Sequence, residues 1–259
     1  DEGREELLAD LSAQVDGIME KAPDWFGRLP EQKVEVRRIP VYEQDSAPGG
    51  YYTAAPLDGS RPGIYWINLK NTADWPKHTL KTLTYHEAVP GHHFQISLQR
   101  AIDDLPLIRN MMGYSEFSEG WALYAEGLGA EVGMYRNDHE EFGRLSSEIW
   151  RAIRLVVDTG MHVKGWSRQQ AIDYALANSP APRARIEAEI DRYISIPGQA
   201  LGYKMGQLRI RTLRTEAENR LGEDFDLRRF HDHVLAAGAL PLDVLDARMR
   251  AWIAREAGR

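Results

Sequence analysis

Apolar and polar positions follow three regimes along the chain. In the first, Leu7, Leu11, Val15 and Ile18 recur every three or four residues with charges between them. That spacing predicts an amphipathic helix over residues 4–22, closed by Pro23. In the second regime, segments 33–42, 51–55 and 64–69 are short and rich in Val, Ile, Tyr and Trp. Pro48-Gly49-Gly50 and Asp58-Gly59-Ser60 separate them, as turns separate strands. They predict a small three-stranded antiparallel sheet, which needs helices packed on it to be stable. Segment 64–69, as an edge strand, would be able to pair with an extended peptide.

From Pro76 to the end, helical spacing returns. Helices are predicted over 79–99, 118–132, 142–163, 183–195, 199–221, 227–237 and 242–256. Another opens at Ser167, where Gln170 completes a capping box. In 142–163 the expected buried stripe is Leu145, Ile149, Ile153 and Val156. Pro180, Pro182 and Pro197-Gly198 punctuate the helices, with no internal repeat and no low-complexity linker. The fold class is therefore mainly α with a small sheet near the N-terminus. One catalytic domain is expected over 1–259: a helical lead-in (1–32), the sheet (33–70) and a helical region (76–259).

Composition narrows the chemistry. The net charge of -7 argues against nucleic acid, which requires clustered Lys and Arg. There is no cysteine, so disulfides and thiolate metal sites are excluded. No apolar run is long enough to span a bilayer and no signal peptide opens the chain. A cytoplasmic or exported soluble protein is expected. Lacking an initiator Met, the chain reads as a processed or excised piece of a longer protein.

Three of the eight His and one Glu fall within the segment His86-Glu87-Ala88-Val89-Pro90-Gly91-His92-His93. Zincin peptidases place two His one helical turn apart to share a metal, with a Glu after the first as general base. Here Pro90 occupies the usual second-His position. On a straight helix His93 would sit ~10.5 Å from His86 along the axis, too far to share an ion. Pro90 and Gly91 predict a bulge or kink that brings either His92 or His93 back. The Gly-His order favours His92 as second ligand, with His93 as an outer or substrate-side residue.

An acidic third ligand is expected from a following helix. Glu119 is the best candidate, and Glu126, two turns on, can orient a ligand His. Arg151, Arg154, Asp158 and His162 form a polar stripe. Arg154 is a candidate for a substrate carboxylate, and His162, one turn from Asp158, is a catalytic candidate. Gln199, Tyr203 and Gln207 share a helix face, where the Tyr203 phenol is suited to donate to an oxyanion. Gly202 and Gly206 on the same helix imply a close approach by something else.

Tyr85 to His93 followed by Gln95, with Glu119-Gly120-Trp121-Ala122-Leu123-Tyr124, Asp158-Thr159-Gly160-Met161-His162 and Pro197-Gly198-Gln199-Ala200-Leu201, resembles the bacterial domain-of-unknown-function family 885 (DUF885). The resemblance runs from about residue 30 to near the C-terminus. That family looks like a distant relative of helical Glu-type zincins, the oligopeptidases and angiotensin-converting-enzyme-like carboxypeptidases. The resemblance implies Zn2+ held by His86, His92 and Glu119, with Glu87 as base and Tyr203 as oxyanion donor. His93, Arg154, Gln199 and Lys204 are the expected substrate contacts. It also implies a zincin-like catalytic half whose cleft is completed by a missing N-terminal half. The expected substrate is a peptide or small amide; the alternative is a metal-binding helical protein without hydrolase activity.

Overall fold

The computed structural model describes residues 2–71 and 76–258. Helix α1 (Glu2–Lys21) leads into strands β1 (Val34–Arg38), β2 (Gly50–Thr53) and β3 (Gly63–Ile67). The rest is helical: α2 (Lys77–Glu87), α3 (His92–Arg100), α4 (Leu107–Met111), α5 (Ser115–Glu131) and α6 (Asp138–Lys164). These are followed by α7 (Arg168–Asn178), α8 (Arg183–Ser195), α9 (Gly202–Leu221), α10 (Leu227–Leu235) and α11 (Leu242–Ala257).

The predicted lead-in helix forms, and it buries Leu11, Val15 and Ile18 as its spacing requires. The small sheet also forms, but it is mixed rather than antiparallel. Its order is β1-β3-β2, with β1 parallel and β2 antiparallel to β3. β3 is therefore the central strand. Its backbone is paired on both sides, so it cannot accept a peptide as an edge strand. Strand periodicity reports which face is buried, not which neighbour lies alongside. β3, with four of its five residues buried, is the apolar middle of the sheet.

Two apolar clusters organise the helices. The larger gathers Phe26, Phe94, Trp121, Ile210, Phe230 and Trp252 from both ends of the chain. The smaller joins α6, α7 and α8 through Trp150, Ile153, Val157, Ile172, Ile186, Ile190 and Tyr193. In α6 the buried face is not the expected stripe. Ile153 is buried, but Leu145 and Ile149 are exposed, Val156 is half-buried, and Trp150, Arg154, Val157 and Asp158 point inward. The helix is turned because Arg154 and Asp158 have polar partners waiting inside. Arg154 bonds to Tyr193 and Glu189, and Asp158 accepts from the Gly198 amide. Leaving those groups unpaired would cost more than exposing two aliphatic side chains.

Helices α5 and α9 pack backbone to backbone. A Cβ on Gly206 would overlap the Glu116 carbonyl oxygen, and one on Gly120 would meet the Gly206 backbone. Gly202 also faces the start of α5, next to Glu116. These glycines bring Tyr203 on α9 up to the α5 residues that follow Glu116. Ser167 and Gln170 make both halves of the predicted capping box at α7.

Candidate metal centre

The predicted single helix over 79–99 is interrupted completely. α2 ends at Glu87 and α3 starts at His92. Between them Ala88 and Gly91 leave helical dihedrals, and the Val89–Pro90 bond is cis. Gly91 packs so tightly under α2 that a Cβ would overlap the carbonyl oxygens of Tyr85 and His86. The Trp121 indole on α5 donates to the Pro90 carbonyl at 2.9 Å, tying the interruption to the third-ligand helix.

This break turns His92 back toward His86. Their rings are 4.8 Å apart between centroids and nearly perpendicular. Nε2 of each lies 3.3 Å from Oε2 of Glu119, which enters from the first turns of α5. Among the described residues, His86, His92 and Glu119 form the group able to hold a metal ion, with one ligand atom from each within 4.8 Å of the others. Two imidazoles and one carboxylate are donors that a divalent metal ion could take.

The carboxylate behind this cluster is Glu126. It accepts from His86 Nδ1 at 2.7 Å and from Ser147 Oγ at 2.6 Å, and it is fully buried. That bond fixes the His86 tautomer so that Nε2 faces the cluster. Burial works against charge on Glu126, but Arg151, His86 and Ser147 outweigh it and hold its pKa below the ordinary value. Burial likewise opposes protonation of His86. The hydrogen bonds to Glu119 and Glu126 and the charges nearby outweigh it and raise the pKa to about 9. Glu119, despite burial, is held well below the usual carboxylate range by His92 and His86. Glu87 behaves oppositely: burial raises its pKa, and His86 and His92 offset only part of that. Glu87 is thus tuned upward beside two carboxylates, Glu119 and Glu126, that are tuned downward.

Tyr203 stacks with His86, 6.2 Å between centroids and 16° between planes. Burial raises its pKa, as does the charge of Glu119, which places the phenol within electrostatic reach of the cluster. The Arg154 guanidinium lies 4.4 Å from the Tyr203 ring centroid, and its charge and the Gln199 side chain work against the rise in the phenol's pKa.

Other expected site residues are placed elsewhere. His93 faces the sheet: the Tyr52 hydroxyl donates to its Nδ1, and its Nε2 donates to the Gln32 carbonyl, both at 3.0 Å. Its ring is a tether between sheet and helix, not a group turned to the cluster. His162 bonds to Asp158 two turns beyond Arg154, about 12 Å along the helix axis, and is not brought to the cluster. Lys204 is committed to Glu148 at 2.7 Å and to Gln207. Arg154 is committed to Tyr193 and Glu189, and Gln199 accepts from Arg192 as well. Arg185, Glu189 and Tyr193 on α8 carried no prior expectation. Their only sequence signal is the Glu189, Arg192, Tyr193 spacing of neighbours on one helix face.

A mainly helical protein with a small mixed sheet and a partly buried His-His-Glu cluster is the class that these observations define. The family model described as "Bacterial protein of unknown function (DUF885)" matches residues 1–249, and the chain belongs to that family. Among solved structures it is similar to a "putative lipoprotein" from Colwellia psychrerythraea, with 50% identity and a TM-score of 0.95. That match covers 98% of this chain and 43% of the other. It is also similar to a "putative lipoprotein of unknown function" from Shewanella oneidensis, with 25% identity and a TM-score of 0.79. There 94% of this chain and 45% of the other are covered. The chain thus spans less than half the length of both. No curated protein matches. Among the described residues, no helix is long and apolar enough to cross a membrane.

Proposed function

We propose that this chain carries the catalytic centre of a zinc-dependent hydrolase acting on peptide or small amide bonds. The observation that carries the reading is the convergence of His86, His92 and Glu119 with the upward-tuned Glu87 next to the first ligand and Glu126 behind it. The donor set suits zinc: two imidazoles and one carboxylate, one imidazole oriented by a buried acid. Bound there, zinc would polarise a carbonyl and acidify a water.

The chain's own residues supply the proton movements. Glu87 accepts the proton of the attacking water and returns it to the leaving nitrogen. Tyr203 donates its phenolic hydrogen bond to the oxygen that gains charge. Glu126 keeps His86 Nδ1 protonated and so keeps Nε2 free as a donor to the ion. The site uses a six-residue His86–His92 spacing to reach what helical zincins achieve with four, and a zincin-like relationship belongs to the same proposal. So does a preceding half that closes the cleft, since both solved relatives are more than twice as long as this chain.

The test is Glu87→Gln. It is expected to retain one zinc per chain by elemental mass spectrometry and to lose turnover of a peptide library by about 10²-fold or more. Unchanged turnover would remove Glu87 from the chemistry. One zinc per wild-type chain with no cleavage of any amide would favour a metal-binding protein without hydrolase activity.

A further inference from the structure

Helix α6 supplies the support behind Glu126. The Glu126 carboxylate divides its two oxygens: Oε1 meets His86 Nδ1 at 2.7 Å, and Oε2 accepts from the Ser147 hydroxyl at 2.6 Å. Gly143, one turn before Ser147, seats α6 on α2, because a Cβ there would overlap the His78 carbonyl oxygen. Residues four apart share a helix face, so Ser147 is turned toward the protein with Gly143.

Arg151 fixes the direction of this hydroxyl. It lies one turn beyond Ser147 and donates from Nη1 to Ser147 Oγ, while its Nη2 is 3.6 Å from Glu126 Oε1. A guanidinium can only donate, so Ser147 accepts from Arg151 and its own proton goes to Glu126. Hydroxyls inside helices often turn back on the carbonyl four residues earlier. Those of Ser12, Thr84, Thr159 and Thr212 do so here. The Ser147 hydroxyl instead crosses to the Glu126 carboxylate on α5.

The consequence lies in the last torsion of the Glu126 side chain. That torsion is broad and twofold in Glu, so a carboxylate held through one oxygen is able to turn about it. Held through both oxygens, from α2 and from α6, it cannot turn without breaking a hydrogen bond. Oε1 then stays in line with His86 Nδ1, and His86 Nε2 stays directed at Glu119. Tyr135 also reaches Glu126, but it donates to the backbone carbonyl and leaves the carboxylate alone.

We propose that Ser147 is a positioning residue of the metal centre: its hydroxyl holds the Glu126 carboxylate in place, and Glu126 in turn holds the His86 ring as a ligand. The proposal rests on the metal-binding half of the reading above and not on amide hydrolysis.

The experiment measures zinc affinity of the purified protein by competition with a chromophoric chelator, and records the visible spectrum with cobalt in place of zinc. Ser147→Ala is expected to weaken zinc binding about 10-fold and to change the cobalt spectrum. Ser147→Thr, which keeps the hydroxyl, is expected to stay within about 3-fold of wild type and to keep its spectrum. In a Glu126→Ala background, Ser147→Ala is expected to weaken zinc by about 2-fold or less, since the group it acts through is gone. Circular dichroism checks the folding of each variant, and where Glu126→Ala does not fold the Thr variant decides. Unchanged affinity in Ser147→Ala, an equal loss in Ser147→Thr, or the same loss with and without Glu126 would each overturn the positioning role. The metal reading would survive those results wherever wild type binds one zinc. Zinc bound by neither wild type nor variants would overturn both. Weakened zinc in Ser147→Ala, rescued by Thr, with no amide cleaved by wild type would uphold the positioning role and sink the hydrolase reading.

Discussion

Between the adjacent residues His92 and His93, one peptide bond decides which ring reaches Glu119. His92 Nε2 is 3.3 Å from Glu119, while His93 is held by Tyr52 and Gln32, with burial lowering its pKa to about 4. Metal content therefore separates them. His86→Ala, His92→Ala and Glu119→Ala are each expected to lose bound zinc, measured by elemental mass spectrometry after dialysis. His93→Ala is expected to keep zinc but to lower stability by about 1–3 kcal/mol, because the Tyr52 hydroxyl and the Gln32 carbonyl lose their partner. Zinc retained in His92→Ala and lost in His93→Ala would exchange the two roles. The sequence narrowed the partner of His86 to these two residues and favoured His92 by its Gly-His order; only the fold brings His92 to Glu119. How far the chain turns at Ala88–Gly91 depends on packing under α2 and on the Trp121 bond to Pro90, which come from residues far along the chain.

At the scale of elements, the glycines of α9 distinguish a contact that composition does not reveal. Gly202 and Gly206 break helix propensity for the sake of the α5 approach. Gly206→Ala should cost about 1–3 kcal/mol or more in urea unfolding, since the Glu116 carbonyl is backbone and cannot step aside. Gly17→Ala on the exposed side of α1, where a Cβ meets nothing, should instead stabilise by about 0.5–1 kcal/mol. A neutral Gly206→Ala would mean that the two helices can separate without loss. The spacing of apolar residues predicted these helices because each must bury a stripe. It misread the buried face of α6 because two polar residues, Arg154 and Asp158, satisfy their partners inside. It misread the sheet because a strand's sequence does not record the direction of its neighbour.

For the whole molecule, buried ion pairs link helices distant in sequence and set the response to acid. Burial acts against the charge on Glu148, but Lys204 and Arg144 outweigh it and hold its pKa at about 2. Burial acts the same way on Glu189, and Arg154 and Arg192 bring it to about 2. Both are depressed relative to the unfolded chain, so their stabilisation is fully present above about pH 4.5 and is lost as pH falls toward 2. Glu189 contributes on the order of 2–3 kcal/mol over that window, and Glu148, more open to solvent and so screened, about 1–2 kcal/mol. Melting temperature followed from pH 6 to pH 2 should fall less steeply in Glu148→Gln than in wild type, from a lower starting value. An unchanged slope would mean that Glu148 titrates alike in both states.

The chain by itself determined the helical class, the presence of three strands, the His and Glu residues that form the cluster and the α7 capping box. These follow from periodicity and from residue chemistry, which are local properties. The tertiary structure alone decided the mixed sheet, the retreat of His93 and His162 from the cluster, and the placing of Arg151 and Arg154 against the Tyr203 ring. Those outcomes depend on which faces meet. That is set by close packing of α5 on α9 and by the pairing of buried polar groups, interactions between residues that the sequence holds far apart.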